Sequence, residues 1–226
     1  VADVIPLRGS NRAIVSVDPL ALSKTPYPPL QALSRLCSVR GNTTASDIAF
    51  KLAPHINALS RMNERTESGA SPGEILSEWL ASNDKLPAHE VTELLAIANQ
   101  ARKQTERRVR NVALQRLARR RKLPLGLAVH GAQFHEGVNG IVAARLVELL
   151  HRPVCVGTRG RDGQLKFSAR SIKQVNIIKV LSGLKQHLEK FGGHAAAAGF
   201  SVKPGHAQAF ERAFERACAK VLRNRV

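Results

Sequence analysis

Four stretches of this chain place reactive or anion-binding side chains at short spacing. In His135-Glu136-Gly137-Val138-Asn139-Gly140, a histidine and two glycines stand just ahead of an amphipathic pattern. Glycine lets backbone approach a ligand closely, and a helix start offers unpaired N–H groups to an anion. A plain turn with a helix cap has the same spacing. In Ser168-Ala169-Arg170-Ser171, strand alternation sets Ser168 and Arg170 on one side. There the guanidinium fork and the hydroxyls of Ser168 and Ser171 suit a phosphate, unless Arg170 is an exposed edge-strand residue. Phe191-Gly192-Gly193-His194 followed by four alanines and Gly199 reads as a pocket wall of small residues. His194 beside it could bond a phosphate or donate a proton, or be a structural histidine. The fourth stretch is a run of bases from Arg102 to Lys122, with Arg107 and Arg110 among them and Glu106 as its one acid. Like charges three and four residues apart repel on a helix. Phosphate contact would relieve that repulsion, and a solvated face would tolerate it.

The elements that must position these groups follow from periodicity. Residues 1–85 read as mainly helical, with an extended patch at Arg12–Val17, helices over Leu30–Val39, Asp47–Ala53 and Gly73–Ala81, and a loop at Ser68–Gly73. Pro54 is expected to disturb the second of these helices. Residues 86–123 read as one long basic connecting helix, with Val91, Leu94, Leu95, Ala98, Ala101 and Thr105 as its narrow apolar stripe. Residues 124–226 alternate short strands (Leu125–Val129, Pro153–Gly157, Gln164–Ala169, Ala197–Val202) with helices (Val138–Leu150, Ile172–Phe191, His206–Leu222). The expected class is α/β, with a compact domain built on a small mixed sheet at the C-terminal end.

Composition bounds the partner. The chain has 226 residues, 35 Lys+Arg against 17 Asp+Glu, and a net charge of +18, which favours a polyanion. Aromatics make up 4%, too few for rows of base-stacking rings. The three cysteines, Cys37, Cys155 and Cys218, lie far apart without a C-x-x-C pair, which excludes a zinc ribbon and disfavours a disulfide framework. No apolar run approaches the ~18 residues of a membrane span, and VADVIPLRGS has no secretory-signal pattern. The expected setting is cytoplasmic, with no membrane partner.

Taken in order, HEGVNGIVAARL, the strand ending in SARS and FGGHAAAAG resemble the DHH-associated domain of the DHH phosphoesterase superfamily, most closely RecJ-type single-stranded-DNA exonucleases. VADVIPLRGSNRAIV and TASDIAFKLAPHINALSRM resemble the last part of the DHH domain in that family. The resemblance implies that residues 1–85 are a helical remnant of a DHH domain and residues 124–226 the substrate-binding domain. It implies catalytic roles for Asn57, Arg61 and His194. It also implies phosphate contacts from Ser168, Arg170 and Ser171, with Gly192 and Gly193 giving access and His135 supporting that face. The complete family enzyme is implied to use manganese or magnesium ions. Here neither the DHH triplet nor the Asp-x-Asp motif occurs, and Asp3, Asp18, Asp47, Asp84 and Asp162 are scattered, so no metal ligand is expected in this chain. Phe134, Leu59-Ser60 and Phe167 stand where the family usually has Trp, Ala-Gly and Gly.

With its Val1 start, the chain is expected to be part of a larger protein or a truncated product, with the missing DHH domain as a partner in the same or a separate chain. The implied function is the single-stranded-DNA-binding portion of a metal-dependent 5′–3′ exonuclease of DNA repair and recombination, inactive by itself. A non-catalytic nucleic-acid-binding module, and a phosphodiesterase acting on oligoribonucleotides or cyclic dinucleotides, remain open alternatives.

Overall fold

The computed structural model describes residues 7–16, 25–41, 43–62, 71–81, 87–160 and 163–224. The chain divides into two compact units, 1–103 and 104–226, with the boundary inside one long helix.

The first unit is helical among its described residues: α1 (Gly9–Ser16), α2 (Pro28–Leu36), α3 (Ala45–Asp47), α4 (Ala53–Met62), α5 (Pro72–Ala81) and the start of α6 (Pro87–Ala118). Leu33, Leu52, Ala58, Leu59, Trp79, Val91, Leu95 and Ala98 form its core. Two expectations fail here. Residues 12–16 are helical rather than extended. Every strand among the described residues lies between 127 and 202, so the described part of the first unit holds no strand for residue 12 to pair with. The helix expected to end at Ala53 does not end there, although Pro54 does disturb it. Between α3 and α4 the chain makes a π turn, Ile48–Leu52, in which the Ala53 N–H donates to the Ile48 carbonyl. The wide turn loosens the ladder just where the proline ring would clash, and the helix runs on to Met62. Thr44 caps the start reciprocally with Asp47, whose carboxylate, bonded by Lys51 and Thr44, titrates well below the usual range. Of the expected loop Ser68–Gly73, residues 68–70 lie outside the described residues, as do Asp3, Asp18, Asp84 and Asp162, and Pro72 and Gly73 already belong to α5.

The second unit is a mixed five-stranded sheet with helices on its faces. Its elements after α6 are β1 (Leu127–His130), α7 (Glu136–Leu150), β2 (Val154–Arg159), β3 (Leu165–Arg170), α8 (Ile177–Ser182), β4 (Leu188–Gly193), β5 (Ala197–Val202) and α9 (Ala207–Arg223). The strand order is β1-β2-β3-β5-β4. β1 and β2 are parallel, joined through α7, and the remaining pairs are antiparallel. On one face, Phe167, Ala169, Ala198 and Phe200 pack under α8 and α9. On the other, Leu127, Val129, Val154 and Val156 pack with α7 and with Val109, Ala113 and Leu117 of α6.

The expected helix Ile172–Phe191 is the third correction. Ile177, Val180, Leu181, Leu184, Leu188 and Phe191 do recur at helical spacing. The helix nevertheless stops at Gly183, whose N–H bonds back to Lys179 and Val180 carbonyls. A single 3-10 turn follows, and Leu188–Gly193 then becomes the edge strand on β5.

The sheet is clamped by stacked rings. Phe167 and Phe200 lie nearly parallel with centroids 5.1 Å apart, and Phe210 sits 5.0 Å from Phe200. Gly157 faces Phe167 across the β2–β3 pair, and a Cβ there would come within 2.6 Å of the ring. Phe210 is fully buried. Phe210→Ala is expected to destabilise the protein by about 3–5 kcal/mol, read as a lower midpoint in chemical or thermal unfolding.

Candidate nucleic-acid interface

β3 is the middle strand, so Arg170 is not an edge-strand residue. Its side chains alternate: Leu165, Phe167 and Ala169 are buried, and Lys166, Ser168 and Arg170 are half-buried on the opposite face. In register, Ser168 pairs with Gly199, and Gly199 with Gly192 of β4. Lys166, Ser201 and Lys190 form the neighbouring row. Beside Ser168 the row is therefore bare backbone at Gly199 and Gly192, with Lys166 and Lys190 in the next row. The two rows floor a groove of ≈ 430 Å³ whose lining includes Lys166, Ser168, Lys190, Gly192, Gly199 and Ser201.

α7 borders this groove with its first turns. His135 is the N-cap, and the Gly137 N–H donates to its Nδ1 at 3.1 Å. Glu136 lies 3.7 Å from Lys166 Nζ. Gly140 is the residue that sequence reasoning missed in its role. A Cβ there would stand 3.1 Å from Arg170 Nη2 and 3.7 Å from Ser168 Cβ. The bare helix surface at Gly140 lets the guanidinium lie against it, while Arg170 Nη1 donates to the Ala169 carbonyl at 2.9 Å. No local pattern carries this signal, because it depends on which helix crosses β3. The loop before α7 is pinned from below: Thr158 Oγ1 donates to the Phe134 carbonyl at 2.7 Å, and the Arg116 guanidinium lies 5.5 Å from the Phe134 ring centre.

Gly192 and Gly193 end β4, and residues 194–196 form the tip that leads into β5. The tip lies at the Arg170 end of the sheet, since Arg170 pairs with Ala197. Backbone bonds hold it: Ser171 N–H to the Ala196 carbonyl and Ile177 N–H to the Ala195 carbonyl, both 2.9 Å. The Ser171 hydroxyl donates to the Val175 carbonyl at 2.7 Å, so it secures this loop. His194 is exposed, and the Ala196 N–H donates to its Nδ1 at 3.4 Å. In both His135 and His194, a backbone amide two residues on occupies Nδ1. The neutral ring then carries its proton on Nε2, as a donor suited to an anion.

The basic run is partly structural. Arg120 pairs with Glu215, Arg116 donates to the His130 carbonyl, and Glu106 lies 3.8 Å from Arg145. Arg107 and Arg110 sit on α6 in the second unit and have no acidic partner among the described residues. Asn57 and Arg61 belong to the first unit. They lie one turn apart on α4, beside the buried Ala58 and Leu59.

Other chemistries find little support. Among the described residues no group of three His, Cys, Asp or Glu side chains could hold a metal ion. These residues therefore do not fit the divalent-metal site of the resembled family. Burial pushes the Cys37 thiol up to about 11 and Cys218 up to about 12, far from nucleophile range. Cys37 Sγ lies 3.3 Å from His55 Nδ1, but that nitrogen is 2.7 Å from the Lys51 carbonyl and must carry a proton to bond it. It cannot act as a base toward the thiol through that atom.

The two glycines differ in kind. Gly193 has φ +143°, and a Cβ would fall 2.4 Å from the Ala197 carbonyl oxygen; Gly192 has nothing within 4 Å. Gly193→Ala is expected to cost at least about 1–3 kcal/mol and Gly192→Ala less than about 0.5 kcal/mol, compared by thermal unfolding.

Residues 122–220 match the DHHA1 domain. The chain is 35% identical over 225 residues to the single-stranded-DNA-specific exonuclease RecJ of Dickeya dadantii, covering 95% of this chain and 38% of that protein. Against Escherichia coli RecJ the identity is 34%, over 95% of this chain and 37% of the other. The chain thus spans little more than a third of these relatives' length. Among solved structures, RecJ from Thermus thermophilus with Mn2+ superposes with a TM-score of 0.83 at 28% identity, covering 97% of this chain and 31% of that one. An exonuclease RecJ bound to manganese superposes with a TM-score of 0.75 at 28% identity, covering 98% of this chain and 54% of that one.

Proposed function

The chain belongs to the RecJ family, with its DHHA1 domain at residues 122–220, and we propose that this domain grips a phosphate of single-stranded DNA, the 5′-terminal one. The carrying observation is the placing of Arg170 and Ser168, both half-buried, on the α7 side of the middle strand, against the bare helix surface at Gly140. A guanidinium held flat presents two parallel N–H groups to two phosphate oxygens, and the Ser168 hydroxyl adds a third donor. Lys166 and Lys190 flank the same groove and add positive charge. The glycine strip at Gly192 and Gly199 lets the nucleotide lie on the sheet.

His194 then donates from Nε2 to the phosphodiester next to the held end, and His135 supports the face at the start of α7. Arg107 and Arg110 are assigned to phosphates further along the strand. Asn57 and Arg61 are assigned to the reacting end of the substrate in the complete enzyme. The chain's own residues bind and orient; none among those described supplies a metal-bound water. In this reading cleavage draws on metal-binding residues outside those described.

Two measurements test this reading. Arg170→Ala should weaken binding of a 5′-phosphorylated single strand roughly tenfold or more, as expected for about 1.5–3 kcal/mol from a charged hydrogen bond. Arg170→Ala should leave a 5′-hydroxyl strand nearly unaffected, whereas His194→Ala should weaken binding of the phosphorylated strand less than Arg170→Ala does. Equal losses for the two strands would refute the end-binding role. Incubated with Mn2+ or Mg2+, the purified chain should leave a labelled single strand intact. Digestion that EDTA abolishes would show that the chain completes a metal site.

A further inference from the structure

The side of the sheet opposite Ser168 and Arg170 carries a second cationic surface. Helix α9 buries Phe210, Phe214 and Cys218 against the sheet. It turns Arg212, Arg216, Lys220 and Arg223 outward, all exposed. Their spacing of four, four and three residues sets them in one stripe about 16 Å long. Beside the stripe runs the segment that leads from α6 into β1, and the two border a groove of ≈ 1010 Å³. Its rim is Lys122, Arg212, Arg216, Lys220 and Arg223. The single carboxylate in the lining, Glu215, is already taken by Arg120. None of the five rim cations has an acidic partner among the described residues. Leu123, Pro124 and Leu125 give the groove an apolar wall, with Leu125 36% exposed.

Four like charges along one helical stripe repel, and nothing within the described unit neutralises them. A polyanion would. A duplex offers phosphates on its outside and keeps its bases stacked within; it would use the cations and leave the apolar wall uncovered. A single strand exposes phosphates and bases together, which matches a cationic rim beside an apolar wall. We propose that the groove between α9 and Lys122–Leu125 holds a single-stranded nucleic acid by its phosphates, without sequence preference. This site is separate from the one at Arg170. The two share a class of ligand but lie on opposite faces of one sheet, and either assignment can fail alone.

The test uses the 226-residue chain and a long labelled oligothymidylate with a 5′-hydroxyl. In the variant Arg216→Gln/Lys220→Gln/Arg223→Gln, affinity should drop at least tenfold. The slope of log K against log salt should become shallower by about 2, at about 0.7 for each phosphate the variant no longer neutralises on a single strand. Binding of a 5′-phosphorylated trinucleotide, and the melting curve, should not change. If the trinucleotide fails to bind the unmodified chain, the Arg170 reading falls and this one stands on the oligothymidylate result. A second measurement needs no substitution: oligothymidylate should protect Lys122 and Lys220 from acetylation several-fold, and polyglutamate or a duplex of equal charge should not. The proposal is overturned by an unchanged affinity and salt slope in the variant, by equal acetylation with and without oligothymidylate, or by equal protection from polyglutamate or duplex.

Discussion

The packing of Phe167 against Phe200 and Phe210 is the constraint on which the second unit depends. It commits one face of β3 to the core. Because successive side chains of a strand point to opposite faces, Lys166, Ser168 and Arg170 are then obliged to face the other way. A slip of one residue would bury a guanidinium and two more polar groups and expose a ring, so the register is enforced from the apolar side. Gly157 is part of the same arrangement: its missing side chain makes room for Phe167.

The helix that follows β1 serves both sides of that division. Val138, Val142, Ala143 and Leu146 bury one flank of α7 with Leu127, Val129, Val154 and Val156. Its first turns are left for the groove, with His135 as cap, Glu136 near Lys166 and Gly140 against Arg170. Interior packing thus sets where the guanidinium lies, since it fixes both the Gly140 surface of α7 and the Ala169 carbonyl that Nη1 bonds.

Local patterns are enough for some of this. Alternation places Ser168 and Arg170 together, and the apolar periodicity of Val138–Leu150 reads correctly as a helix, although that helix already begins at Glu136 and takes Gly137 and Gly140 into its first turns. Strand neighbours lie beyond such patterns. Arg170 is compatible with an edge until the sheet order puts β3 in the middle. Leu184, Leu188 and Phe191 satisfy a helical period while in fact crossing from a 3-10 turn into a strand, because apolar spacings of three and four residues also fit a turn followed by an edge strand. On α6 the density of arginine hides the buried stripe Val109, Ala113 and Leu117, which is as regular as the one before it. Gly140 shows only as a small residue; its use depends on a side chain thirty positions away.

The π turn at Ile48–Leu52 has a consequence for the helix beyond it. A π turn holds one residue more than an α-helical turn needs, so it resets the angular phase of everything downstream. Asn57 and Arg61, on α4, inherit that phase. Shortening this turn by one residue would restore an unbroken α-helical ladder with the buried Ala58 and Leu59 still facing inward. The same deletion further along α4 would rotate the residues after it by about 100°. Phe50, 78% exposed within the turn, is where the helix carries its slack, and chain length there can vary without turning Arg61 to a different side.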